Sequence, residues 1–287
     1  MTTTLVIGAT GKVGRHVVSG LLDEGIDVRA LARHPETAGL PAQVEVVQGD
    51  VYRPETIEAS ARGARSAFLL WPGFDPAGAG EVVAALAGTV NHIVHLSSAR
   101  LQGDEEGPTE GVWAEVERQV ETSGAAWTFV RAGGFAANTL SWADTIRAGG
   151  PLRVAFPRAA RSVVHERDIA DVAVRTLIDP IHVGSAYEVT GPEVLSQLEQ
   201  VAIIGQAVGR AVAVEEMSAD EAWREFASFM GADGADRAVA HWASMVDSPE
   251  RAAHDVERIT GHPARAYSAW VRNHLDAFSS PVGDGRT

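Results

Sequence analysis

Three glycines at fixed spacing stand in the run Gly8-Ala-Thr-Gly11-Lys-Val-Gly14, directly after the apolar pulse Leu5-Val-Ile7. Between a strand and a helix, such spacing has three uses. The first glycine permits a tight turn, the second lets backbone approach a pyrophosphate, and the third lets helix pack on strand. The phosphate then sits at the helix N-terminus, where N–H groups and the helix dipole favour an anion. The turn points to a bound dinucleotide, with Gly8, Thr10, Gly11, Lys12, Val13 and Gly14 as expected contacts. A turn with no ligand is the plain alternative.

About 20 residues further on, where a carboxylate would hold the ribose hydroxyls of NAD, the chain reads Ala32-Arg33-His34-Pro35 and offers none. An arginine there favours a 2′-phosphate, hence NADP(H), and Lys12 adds a second positive charge. At the end of the third apolar pulse, Gly49-Asp50-Val51 supplies a carboxylate where adenine lies in such folds. Asp50 and Val51 are therefore cofactor candidates, although Asp50 could equally cap the helix opening near Pro54.

The run Trp71-Pro72-Gly73-Phe74 leaves the fourth apolar pulse. Trp71 and Pro72 are placed to touch cofactor. Trp71 and Phe74, joined by Trp113, Phe135 and Trp142, could wall a flat substrate near the nicotinamide. Ordinary core packing is the competing reading, strongest for Trp113 because of its helical spacing. Ser97 and Ser98, at the end of the fifth pulse, stand where a hydroxyl orients substrate or nicotinamide, or else bonds local backbone. Asn138 could bond cofactor or substrate, or cap the following helix. His95 alternates with apolar neighbours and reads as a core histidine. His165, Glu166 and Asp168 are too close in sequence to converge on one ion, so no metal is expected.

With 24 basic against 38 acidic residues the net charge is −14, which disfavours direct binding to nucleic acid. The chain has no cysteine, excluding disulfides and thiolate chemistry, and a single lysine, Lys12. Arginine and alanine in place of lysine suggest a GC-rich coding sequence. No apolar run approaches the roughly 18 residues of a membrane span, and Met1-Thr-Thr-Thr leads into Leu5 without the basic and apolar regions of a secretory signal. A soluble, cytoplasmic protein follows, with no membrane partner.

Apolar pulses alternate with helical periodicity through the first two-thirds of the chain. The expected strands are 4–7, 27–31, 44–47, 67–71, 92–96 and 127–130. Val13, Val17 and Leu21 mark one helix stopped by Gly25, and Trp113, Val116 and Val120 another stopped by Gly124. This is the pattern of an α/β fold, a Rossmann-like doubly wound parallel sheet. Later elements are a helix near 139–147, a strand at 152–156, a helix at 168–178, a helix opened by the capping box Ser196-Gln-Leu-Glu199, and mostly helix from Ala219, with a flexible tail from Ser279. Residues 1–135 are expected to form the dinucleotide-binding core. Residues 136–287 form a smaller, mostly helical C-terminal substrate lobe, with segments from about 152 to 190 returning to the core sheet.

GATGKVG at the start, LARHPE after the second strand, QGDVYRPETIEAS after the third, HIVHLSS at the fifth and VERQVETSGAAWTFVRAGGFAAN into the sixth together resemble the NmrA-like group of atypical short-chain dehydrogenases/reductases. DIADVAV and ERITGHPARAYSAWVRNHLDAF extend the likeness over essentially the whole chain. The resemblance implies an NAD(P)-binding Rossmann core, a small C-terminal substrate lobe, and either reductase activity or redox sensing.

The departure from that group is chemical. Short-chain dehydrogenases generally protonate the substrate oxygen through a Tyr-x-x-x-Lys pair. Here the one lysine lies in the phosphate turn, and Tyr52, Tyr187 and Tyr267 are far from the helix after the fifth strand. Group members that use a lysine on that helix find Trp113, Glu115, Glu117 and Arg118 instead. Either the protein does not catalyse, or its reaction needs no strong enzymic acid. Quinone reduction meets the second condition, because hydride addition gives a hydroquinonate that solvent can protonate. The expectation is an NADPH-dependent reductase of a small aromatic substrate, a flat quinone or conjugated carbonyl. By analogy this belongs to aromatic polyketide tailoring and antibiotic biosynthesis, with reduction preceding an oxygen-dependent hydroxylation. The alternative is a silent NADP(H) sensor acting through a protein partner. A sugar epimerase ranks behind both, and a homodimer is compatible with either of the first two.

Overall fold

The computed structural model describes residues 2–99 and 111–279; the expected tail lies, from residue 280, outside the described residues. The elements in chain order are β1 (Thr3–Ile7), α1 (Gly14–Asp23), β2 (Asp27–Ala32), β3 (Glu45–Gln48), α2 (Pro54–Ala61), β4 (Ala64–Leu70), α3 (Ala79–Ala87), β5 (His92–Ser98), α4 (Val112–Thr122) and β6 (Ala126–Ala132). They continue with α5 (Ala143–Ala148), β7 (Leu152–Ala155), β8 (Ala160–Arg161), α6 (Glu166–Ile178), β9 (Ser185–Val189), β10 (Leu195–Ser196), α7 (Gln197–Ala207), β11 (Val214–Met217), α8 (Ala219–Asp247), α9 (Asp255–Thr260), α10 (Tyr267–Asn273) and α11 (Leu275–Phe278).

The chain forms two compact units. The first comprises Met1–Gly133, Glu166–Thr190 and Ala253–Ala264; the second comprises Gly134–His165, Gly191–Ala252 and Arg265–Thr287. In the first, seven parallel strands run in the order β3-β2-β1-β4-β5-β6-β9. All six strands read from the sequence are present. Leu5, Val6 and Ile7 of β1 are all buried, because a parallel sheet is covered on both faces and its strands become apolar runs instead of alternating ones. One face carries Leu5, Ile7, Ala67, Leu69, Ile93 and Phe129 in a core closed by Ile57 of α2, Val82 of α3 and Val116 of α4. α1 and α6 pack against each other, so closely at Gly20 that a Cβ there would stand 2.9 Å from Val174.

The seventh strand, β9, carries a weaker signal. Tyr187 and Val189 are buried and Ala186 and Glu188 are not, the alternation of an edge strand. Its outer edge is closed by Asp255 at the start of α9, whose carboxylate accepts the Glu188 N–H at 2.9 Å.

In the second unit the strand expected at 152–156 exists, but β7 pairs with β11 in a separate two-stranded parallel sheet. The helix expected near 139–147 divides into a 3₁₀ turn, Ala136–Trp142, and α5. Ser196 and Glu199 form the full reciprocal cap of α7. α8 has a non-helical Gly231 (φ 75°, ψ 172°), and the Trp223 indole N–H reaches the Asp236 carboxylate at 2.7 Å. Thirteen residues of straight helix would hold these groups about 20 Å apart, so α8 is folded back on itself at Gly231. The core of this unit is built on Tyr267 and Trp270, stacked at 5.6 Å, with Ile146, Ile204, Val271 and Phe278 around them.

Candidate functional site

The glycine turn connects β1 to α1. Gly8 has φ +88°, a left-handed conformation that favours glycine, and its carbonyl accepts the Gly11 N–H at 3.0 Å. A Cβ on Gly14 would overlap the Gly8 carbonyl and approach Ala9 Cα to 2.9 Å, so the third glycine is required for helix-to-turn packing. A Cβ on Gly11 would meet only the Gly8 carbonyl, at 3.2 Å, leaving that side of the turn open to a ligand. No side chain caps α1, because Val13 at its cap has no oxygen, and the first turn holds no acid. The start of this ten-residue helix therefore suits an anion from outside the chain, and these residues fit a pyrophosphate. Val13 is buried and offers backbone only, whereas Thr10 and Lys12 are exposed.

Parallel pairing of Ile7 with Leu31 brings the end of β2 beside the turn. Arg33 follows, exposed, and its guanidinium makes no hydrogen bond or ion pair among the described residues. Arg29, on the same strand, is consumed by structure: it bonds the Glu45 carboxylate and the carbonyls of Ser60 and Arg62 at 2.7 to 2.8 Å. Asp50 does not cap α2, whose cap residue is Arg53; its carboxylate instead accepts the Tyr52 N–H at 3.1 Å. Val51, half-buried beside it, packs on the core.

Beyond the carboxyl end of β4 the aromatic run divides. Trp71 is only 4% exposed, lies in the core cluster, and donates its indole N–H to the Asp75 carbonyl at 2.9 Å. Core packing thus accounts for most of its surface. Phe74 is 51% exposed and meets Trp113, at the start of α4, edge to face at 5.9 Å. Tyr52, which the sequence reading passed over as a site residue, stands edge-on to Trp71 at 5.5 Å and donates its hydroxyl to the Pro72 carbonyl at 2.8 Å. In the second unit, Phe135 is half-buried and bridged to Val164, and Trp142 packs against two apolar clusters. Asn138 is exposed within the 3₁₀ turn, and its side chain caps no helix: the cap residue of α5 is Trp142, so the capping expectation is corrected.

At the end of β5, Ser97 is buried and its hydroxyl has no partner among the described residues, whereas Ser98 makes a long 3.4 Å contact with the Ala99 carbonyl. His95 is fully buried, with Nδ1 3.0 Å from the Leu69 carbonyl. That contact requires the proton on Nδ1, and burial lowers its pKa to about 4, so the ring is neutral and not an acid. α4 buries Val112, Val116, Glu117 and Val120. Glu117, the one charged group on that buried face, is paired to Arg131 of β6, where the sequence spacing had given no sign of it.

His165 Nε2 lies 3.2 Å from the Asn273 amide nitrogen. Asp168 instead lies with Asp171 and His262, their ligand atoms all within 4.8 Å of one another. His262 Nε2 stands 3.3 Å from the Asp171 carboxylate, an ion pair when the ring is protonated.

The model of the NmrA-like family matches residues 1–249. The chain belongs to the NmrA-like family. This NmrA-like protein is 36% identical over 287 residues to the (4-alkanoyl-5-oxo-2,5-dihydrofuran-3-yl)methyl phosphate reductase of Streptomyces griseus, covering 96% of this chain and 99% of the relative. It is 32% identical to the NAD(P)H azoreductase of Xenophilus azovorans, again over 96% and 99% of the two chains. Two solved structures share the fold. The NADPH-dependent quinone oxidoreductase of Escherichia coli superposes with TM-score 0.76 at 21% identity over 95% of this chain and 99% of its own. The triphenylmethane reductase of Citrobacter sp. gives 0.78 at 20% over 96% and 99%.

Proposed function

We propose that this chain, an NAD(P)H-dependent oxidoreductase of the NmrA-like family, reduces a flat quinone or conjugated carbonyl with NADPH. The carrying observation is the half-exposed Phe74 set edge-on to Trp113 beyond the carboxyl ends of β4 and β5, the edge at which ligands bind in an open α/β sheet.

The Gly8–Gly14 turn and the α1 N-terminus hold the pyrophosphate, Arg33 with Lys12 holds the 2′-phosphate, and Asp50 and Val51 border the adenosine. Trp71 and Pro72 would line the nicotinamide end, and bound NADPH would supply the hydride. Phe74 and Trp113 are assigned to the acceptor.

The chain's chemistry limits which acceptors suffice. α4 presents neither tyrosine nor lysine, His95 is neutral, and Glu117 is held by Arg131. An isolated ketone would become a basic alkoxide with no donor. A quinone or doubly activated alkene spreads the added charge over its own carbonyls, and water completes protonation. The 2,5-dihydrofuran named for the Streptomyces relative, flanked by oxo and alkanoyl groups, is an acceptor of this kind. Extended quinones of aromatic polyketides belong to the same class, and there the hydroquinone produced would pass its electrons to oxygen in a hydroxylation.

The test is NADPH oxidation against naphthoquinones, anthraquinones and a 3-acyl butenolide, with cyclohexanone as control. Turnover of the conjugated acceptors and none of the ketone is expected. Failure of every conjugated acceptor to exceed the enzyme-free rate would overturn the proposal.

A further inference from the structure

We infer that Tyr52 is a positioning residue for the acceptor: its hydroxyl latches the turn that presents Phe74 and thereby selects for extended planar acceptors. The inference rests on the assignment of Phe74 to the acceptor wall, and its test separates the two.

The chain leaves β4 at Leu70 and bends at Gly73 and Phe74. Trp71 is buried, Gly73 turns the backbone with φ +83°, and Phe74 emerges half-exposed against Trp113. Side-chain hydrogen bonds from Trp71 and Tyr52 shape this turn. The Trp71 indole N–H closes it onto the Asp75 carbonyl at 2.9 Å, and the Tyr52 hydroxyl holds the Pro72 carbonyl at 2.8 Å from outside. Proline has no N–H, so residue 72 can be tied by its backbone only through that carbonyl.

Tyr52 gains little from burial, being 55% exposed. What fixes it is directional: its ring lies edge-on to Trp71 at 5.5 Å and 80°, and its N–H is held by the Asp50 carboxylate at 3.1 Å. One tyrosine thus joins Asp50, on the adenosine side, to the turn carrying Phe74. A Cβ at residue 73 would stand 3.4 Å from the Tyr52 hydroxyl, so the latch also fits closely over the glycine.

Losing the hydroxyl frees the carbonyl of residue 72 and lets Phe74 leave Trp113. A one-ring acceptor has less flat surface to lay against that wall than a three-ring acceptor, so it depends on the wall less. With saturating NADPH, Tyr52→Phe is expected to raise KM for an anthraquinone sulfonate about three- to tenfold, the value of one hydrogen bond, and KM for benzoquinone by less than about twofold. The kcat values and NADPH affinity should be unchanged, and Phe74→Ala should reproduce the dependence on ring number. Amide hydrogen exchange over residues 73–75, which needs no acceptor, should be faster in Tyr52→Phe than in the parent. Equal KM ratios for all ring numbers, or unchanged exchange at 73–75, would overturn the latch. If the parent protein reduces no quinone while exchange still accelerates, the acceptor assignment fails and the latch on the turn stands.

Discussion

Glu117 of α4 and Arg131 of β6 form a buried ion pair, with the guanidinium Nη2 2.6 Å from one carboxylate oxygen and Nε 3.0 Å from the other. The pair ties α4 to the strand end beside which Ser97 stands, since Ser97 and Arg131 are register partners. Removing one buried partner strands the other charge, so Glu117→Gln should destabilise the protein by about 3 to 5 kcal/mol, and a Glu117→Leu/Arg131→Met double variant should recover most of that loss. Urea unfolding of the three proteins measures it. A loss below about 1 kcal/mol in the single variant would mean the charge finds water.

The proposed preference for NADPH rests on Arg33. Because its guanidinium is exposed and makes no hydrogen bond or ion pair among the described residues, Arg33→Ala should leave folding intact. It should weaken NADPH by about 1.5 to 3 kcal/mol and NADH hardly at all. Titrating both cofactors decides this; equal losses would assign Arg33 to structure.

The second and third glycines should fail differently. Gly11→Val fills the side open to pyrophosphate and should abolish cofactor binding while the circular dichroism spectrum and unfolding midpoint survive. Gly14→Ala drives a methyl group into the Gly8 carbonyl and should lower the unfolding midpoint itself. Cofactor binding retained by Gly11→Val would remove the phosphate-turn assignment.

Proton supply can be tested at β5. If the acceptor stabilises its own charge, Ser97→Ala and Ser98→Ala each cost at most about tenfold in stopped-flow hydride transfer, less than the 10²-fold or more of losing a general acid. The aromatic comparison belongs at Phe74, because Trp71→Ala would cut into the core and cost about 3 to 5 kcal/mol of stability. An indispensable Ser97 would replace the donor-free scheme with a hydroxyl relay.

His95 links stability to pH. Its folded pKa, about 4, lies below the ordinary 6.5, so between those values the unfolded chain binds the extra proton. Stability from this group is complete above pH 6.5 and declines towards pH 4, at up to about 1.4 kcal/mol per pH unit. His95→Phe should flatten that decline by one proton's worth in urea unfolding between pH 7.5 and 4.5. An unchanged slope would show that other groups carry it.

Local chemistry fixed much of this protein before any contact was known. The six strands Thr3–Ile7 to Ala126–Ala132, the tight glycine turn after β1, the Ser196–Glu199 cap and the arginine after β2 were legible in the sequence, because buried parallel strands are apolar runs and a tight turn or cap depends on neighbours within a few residues. The missing Tyr-Lys pair was legible too, since a chain with one lysine cannot hide a second. Tertiary structure decided what depends on distant partners. It drew β7 to β11 instead of the main sheet, folded α8 at Gly231, and joined Glu117 to Arg131 across 14 residues. It also separated Trp71 from Phe74: two aromatics three residues apart look alike in sequence, and only the turn at Gly73 sends one into the core and the other into solvent. The Tyr52 hydroxyl bond to Pro72 spans 20 residues and joins the segments that follow β3 and β4, which have two strands between them in the sheet, a pairing that periodicity cannot encode.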